Sequence, residues 1–116
     1  MKRAPMLAVL LLAGASLARA EEGGISDYPT AARADYVFGC MAANGQTQQA
    51  LERCSCSIDV IARLLPYDRY VQAETILRLA QAPGQRSELV RSSGMLRDMV
   101  ADLRRAQVEA EVQCFP

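Results

Sequence analysis

The chain has 116 residues, no His, and one Lys, at position 2. Its 13 basic residues balance 13 acidic ones, but Lys2, Arg3 and Arg19 lie in an N-terminal export segment, so ten basic residues face 13 acidic ones in the rest, a net charge of about −3. Such a chain suffices for one small domain, lacks the basic footprint that nucleic acid or an anionic membrane surface requires, and without His or further Lys cannot form Ser-His, Cys-His or Ser-Lys dyads, lysine Schiff bases or histidine metal ligands.

Residues 1–20 read as a secretory signal peptide. Lys2 and Arg3 form the positive start, Met6 to Ala13 an apolar core, and Ala18-Arg19-Ala20 a small-x-small cleavage site. The apolar run is far shorter than the ~20 residues of a spanning helix, so no membrane anchor is expected. Cleavage after Ala20 and a periplasmic location are the expectations. Residues 21–29, Gly-rich and acidic at the start, read as a flexible leader, and residues 30–116 as a disulfide-linked helical domain.

The first helix is expected over about 31–43, with Tyr36, Val37, Cys40 and Met41 on one face and Asn44-Gly45 as its stop. Thr47 is the expected cap of a second helix running to about Leu65. Leu51, Cys54, Ile58, Ile61 and Leu65 form one apolar stripe of this helix, and Cys56, Val60 and Leu64 form another. A helix apolar on two sides is expected to be sandwiched between neighbours.

Pro66 is expected at the first position of the third helix. Tyr70, Ala73, Leu77 and Ala80 form the seam of that helix, widened by Ile76 and Leu79, and Ala82-Pro83-Gly84 breaks the chain. A short helix over about 86–92, interrupted by Ser92-Ser93-Gly94, precedes a main last helix over about 95–113, and counts as an extra short turn beside four main helices. The predicted seam of this part is Leu89, Leu96, Val100, Leu103, Ala110 and Cys114, passing through Ser93 and Gln107. No stretch alternates with period two. The expected fold is all-α, a compact bundle of about four helices cross-linked by two disulfides.

Four cysteines, Cys40, Cys54, Cys56 and Cys114, in an exported chain read as two disulfides. A Cys54–Cys56 bridge is disfavoured, because i and i+2 point about 200° apart on a helix. Reach across a hairpin centred near residue 46 favours Cys40–Cys54. Seam matching favours the opposite arrangement, with Cys54 facing the last helix. We take the pairing that reach favours, Cys40–Cys54 with Cys56–Cys114.

An alternative use of Cys54-Ser55-Cys56 is soft Cu(I) or thiol-redox chemistry, with Met41, Met95 or Met99 as thioether ligands. Cys-x-x-Cys and the haem-attachment motif are absent. Asp98 and Asp102 stand one turn apart, and Arg105 and Glu109 have the spacing of an i,i+4 pair; both read as parts of a solvated helix face. No catalytic residue, cofactor or metal site is assigned. The chain reads as a non-enzyme that binds a protein partner in its own compartment, with a stress chaperone as a vaguer alternative.

Two stretches carry a resemblance: Asp35 to Thr47 (DYVFGCMAANGQT), and Cys54-Ser55-Cys56-Ser57-Ile58-Asp59-Val60-Ile61 leading to Pro66-Tyr67-Asp68. They resemble small exported helical proteins encoded in bacteria near PQQ-dependent alcohol dehydrogenases and their cytochromes. The resemblance implies an accessory role in periplasmic quinoprotein oxidation, with a dehydrogenase or cytochrome as partner, and implies no catalytic residue.

Overall fold

A computed structural model describes residues 27–116. The expected signal peptide and the first part of the leader lie outside the described residues. Five helices follow in order: α1 (Thr30–Asn44), α2 (Gln48–Leu64), α3 (Tyr67–Gln81), α4 (Gln85–Ser92) and α5 (Gly94–Cys114). No strand occurs among the described residues, and no helix among them is long and apolar enough to cross a membrane. The fold is all-helical as expected, but with five helices rather than about four, because the short segment expected over about 86–92 forms a separate eight-residue helix of its own. Ser87 Oγ donates back to Gly84 O at 2.7 Å at its start.

Local chemistry sets the boundaries. Gly45, at φ 106°, takes the left-handed region that a side chain disfavours, and its N–H closes α1 on Met41 O at 2.8 Å. Thr47 Oγ1 accepts from Ala50 N at 3.0 Å and caps α2. Ser93 Oγ does the same for α5 from Leu96 N. Pro66 lies one position earlier than expected, as the cap of α3 with extended ψ of 148°. A proline side chain has no acceptor with which to cap a helix, and the missing acceptor comes from elsewhere: Asp27 Oδ2 accepts from Tyr67 N at 3.1 Å, across 40 residues of sequence.

That bond, and the residue after it, correct the leader boundary. Asp27, Tyr28 and Pro29 belong to the folded domain. Tyr28 is only 4% exposed. Its hydroxyl donates to Leu65 O at 2.8 Å, and its ring meets Tyr67 and Tyr70 at centroid separations of 5.1 Å each. Composition marks residues 21–29 as a polar leader, but a single ring carries enough apolar area to pin its end to the α2–α3 corner.

The helices pack in the spatial order α1, α2, α5, α3, with α4 against α3 and α5. The core is built on α2 and α5: Cys54, Ile58, Val60 and Ile61 from α2, and Leu103, Ala106, Ala110 and Cys114 from α5, with Ala73 of α3 and Tyr28 completing it. The two ends of the predicted last seam fare differently. Leu103, Ala110 and Cys114 are buried, whereas Leu89 is 69% exposed. Ala106 rather than Gln107 carries the seam through its middle. A seam drawn across the break at residues 92–94 assumes one continuous helix, and α4 and α5 have separate axes. In α3, burial centres on Ala73 and Ile76, and Leu79 is exposed. In α2, Leu51 and Leu64 sit at the exposed rims of their stripes.

Candidate functional site

The four predicted site residues form two disulfides. Cys40 is bonded to Cys54 with Cα atoms 5.7 Å apart, and Cys56 to Cys114 with Cα atoms 5.8 Å apart. Positions 54 and 56 lie on opposite sides of α2, so one sulfur reaches back to α1 and the other across to α5. The central helix is thereby bonded covalently to both neighbours. In this state neither Cys54 nor Cys56 offers a thiolate to Cu(I), since all four sulfurs are engaged. Met41 sits on α1 and Met95 and Met99 on the first turns of α5. Among the described residues no group of three His, Cys, Asp or Glu side chains is placed to hold a metal ion.

The carboxylates of α5 act as the sequence reading has it, as a solvated face. Asp102 takes Arg105, one turn on, and also lies 3.9 Å from Arg69 of α3. Arg105 therefore turns back to Asp102 rather than forward to Glu109, and Glu109 accepts from Gln113 at 2.7 Å instead.

Two surface features were not legible as sites in the sequence. The first is a polar cleft of about 690 Å³ between α1 and the α3–α5 pair, with α2 at its floor. Tyr36, Ser57, Tyr70, Glu74 and Arg104 converge on it from four helices. Burial pushes the Tyr36 hydroxyl upward from the usual phenol range; a hydrogen bond with Ser57 pulls it partly back, and Glu74 raises it further. Burial, helped by Glu74, Tyr36 and Asp35, pushes Tyr70 up to about 12. Both hydroxyls stay protonated across the physiological range. They donate and accept hydrogen bonds but do not serve as a base.

The second feature is the outer side of α1. This helix contributes no buried residue to the domain. From Tyr36 to Asn44 it carries no charge, and its ring at Phe38 is 77% exposed. Beside the ring runs a groove of about 470 Å³ between α1 and α2, with Val37, Met41, Leu51 and Ile58 along its apolar wall. Arg33 of α1 and Asp59 of α2 form an ion pair, and both also line the groove. An uncharged helical stretch with apolar side chains on its outer side ordinarily lies in an interior, and the Cys40–Cys54 bond holds this one at the surface. The spacing contained the signal: Tyr36, Val37, Cys40 and Met41 share the inward face, which leaves Phe38 pointing away.

No protein-family model, curated protein or solved structure matches this chain.

Proposed function

We propose that this is a non-enzymatic accessory protein of the periplasm that docks a protein partner through the outer side of α1. The observation that carries the reading is Phe38, an aromatic ring 77% exposed on the uncharged Tyr36–Asn44 stretch of a helix clamped by a disulfide. Covering one such ring is worth roughly 1.5–3 kcal/mol, and rigid aromatic anchors dominate the energetics of protein interfaces. The disulfide lowers the ordering cost of binding, because α1 is held before the partner arrives. The absence of His and of Lys beyond the leader supports a binding rather than a chemical role.

The resemblance of Asp35–Thr47 and Cys54–Asp68 to exported proteins encoded beside PQQ-dependent alcohol dehydrogenases supplies the partner class, a quinoprotein dehydrogenase or its cytochrome subunit. The test is a photo-crosslinking residue at position 38, with adducts identified by mass spectrometry from intact cells. The expected result is an adduct with a dehydrogenase or cytochrome subunit, lost when Met41 and Leu51 are replaced by Asp. A position 38 probe that captures nothing, beside an exposed control position such as Glu111 that behaves alike, overturns the reading.

A further inference from the structure

The α1 wall of the polar cleft carries Asp35, Gly39 and Ala43, four positions apart and so on one stripe of the helix. Gly39 keeps the middle of that wall flat. A glycine inside a helix is less stable than alanine. Its φ is not in the left-handed region, and a Cβ added there meets nothing within 4 Å. Neither conformation nor a neighbour in the same chain calls for glycine at this position. What it provides is open space in the cleft beside Tyr36.

The charges around that space are unbalanced. Asp35 of α1, Glu74 of α3 and Glu111 of α5 line the cleft against one guanidinium, that of Arg104. Arg104 Nη1 donates to Gln107 Oε1 at 3.3 Å, and among the described residues none of the three carboxylates has an ion-pair partner. Their field reaches the cleft's phenols. Burial is the largest cause of the upward shifts of Tyr36 and Tyr70, Glu74 raises both further, and Asp35 adds to the shift of Tyr70. An anionic ligand is therefore repelled. A metal ion fits poorly as well, because the carboxylates come from three helices and no three of them converge closely enough to coordinate one. The arrangement suits a bulky cation with diffuse charge. Such a cation needs no oxygen in direct coordination and gains from aromatic rings, which Tyr36, Tyr70 and Phe115 supply.

We infer that this cleft binds a small quaternary ammonium ion, seated beside Gly39 among Asp35, Glu74 and Glu111, with its methyl groups against Tyr36 and Tyr70. The volume of about 690 Å³ lies within the range of small-molecule sites. The two tyrosine hydroxyls, both protonated at neutral pH, offer hydrogen bonds to a polar group on the ligand's tail. The cleft is open to solvent, so its charges are partly screened and the affinity is modest, with a Kd in the sub-millimolar range. Phe38 lines the groove on the other side of α1 and not this cleft, so the inference does not rest on the docking reading.

The probe is choline, and its control is the neutral alcohol in which a tert-butyl group replaces the trimethylammonium, alike in shape but without the charge. Isothermal titration calorimetry of the oxidised protein gives the affinities, and amide proton–nitrogen correlation spectra place the binding. Choline should saturate with shifts centred on Gly39 and Glu74, and the neutral alcohol should bind more weakly by roughly tenfold or more. Glu74→Gln removes one charge at constant size and should weaken choline by about tenfold. Gly39→Leu fills the open wall and should weaken it at least as much. Both variants should keep the native circular dichroism spectrum. Asp98→Asn removes a carboxylate of α5 that lies outside the cleft and should leave the affinity unchanged. Choline that does not saturate below about 20 mM overturns the inference. So do shifts centred outside the cleft, a neutral alcohol that binds as well as choline, a cleft variant that binds like the parent, or an equal loss in Asp98→Asn.

Discussion

The hydroxyl of Tyr28 donates to the carbonyl oxygen of Leu65 at 2.8 Å, tying the residue two places before the first helix to the end of α2. Tyr28 is packed against Tyr67 and Tyr70, and its neighbour Asp27 caps α3 through Tyr67 N. The corner between α2 and α3 is thus built by chain about 40 residues earlier in the sequence. Pro66 supplies the break, and the Asp27-Tyr28 clip supplies what Pro66 lacks.

Replacing Tyr28 by Ala should cost about 3–5 kcal/mol, the range for loss of a buried aromatic side chain. Tyr28→Phe keeps the ring and removes one hydrogen bond, and should cost about 1 kcal/mol. Asp27→Ala removes a helix cap and should also cost about 1 kcal/mol. Urea denaturation of the three variants checks this order; if Tyr28→Ala has the stability of the parent, the clip is not part of the folded domain.

Each disulfide closes a loop whose length sets its expected worth. Cys40–Cys54 spans 14 positions and Cys56–Cys114 spans 58, and unfolded-chain entropy assigns them about 3 and about 4 kcal/mol. Substituting Ser for both members of the second pair should therefore lower Tm more than the same change in the first. Both shifts should exceed about ten degrees for a domain of this size. Differential scanning calorimetry of the two double variants measures the difference, and peptide mapping without reduction reads the pairing directly.

Alkaline pH should unfold the protein through its tyrosines. Tyr70 is held at about 12 in the fold, and burial also raises Tyr28 and Tyr36, against about 10 in an unfolded chain. A raised pKa in an acid means that the folded state keeps a proton that the unfolded state has released. The stabilisation is whole below about pH 10 and is lost as pH rises towards 12. Absorbance at 295 nm during a base titration should show late ionisation that coincides with loss of helical ellipticity; early ionisation with the helices intact would contradict it.

Leu103 and Leu89 stand on the same predicted seam and should behave differently. Leu103 of α5 is fully buried in the core, so Leu103→Ala should cost about 2–5 kcal/mol. Leu89 faces solvent on α4, and Leu89→Ala should change stability by no more than about 0.5 kcal/mol. Thermal melts of the two variants make the comparison.

The sequence by itself determined the elements whose causes are local. The stop at Asn44-Gly45, the cap at Thr47, the break at Ala82-Pro83-Gly84 and the two-sided apolar pattern of α2 all follow from residues within a turn or two of each other. The opposed directions of positions 54 and 56 follow from the 3.6-residue period, and hairpin reach then selects the pairing found in the structure. Tertiary structure decided the rest. Tyr28 is buried because Leu65, Tyr67 and Tyr70 converge on it from 37 to 42 positions away, which no local composition records. Leu89 and Leu103 share a sequence period but not a helix axis, so only one of them reaches the core. The polar cleft exists because Tyr36, Ser57, Tyr70 and Arg104 come from four different helices. Phe38 is exposed because α2 covers only one side of α1 and, in the single chain, no helix covers the other. Helical periodicity fixes which residues share a face, and the packing of whole helices fixes which faces are covered.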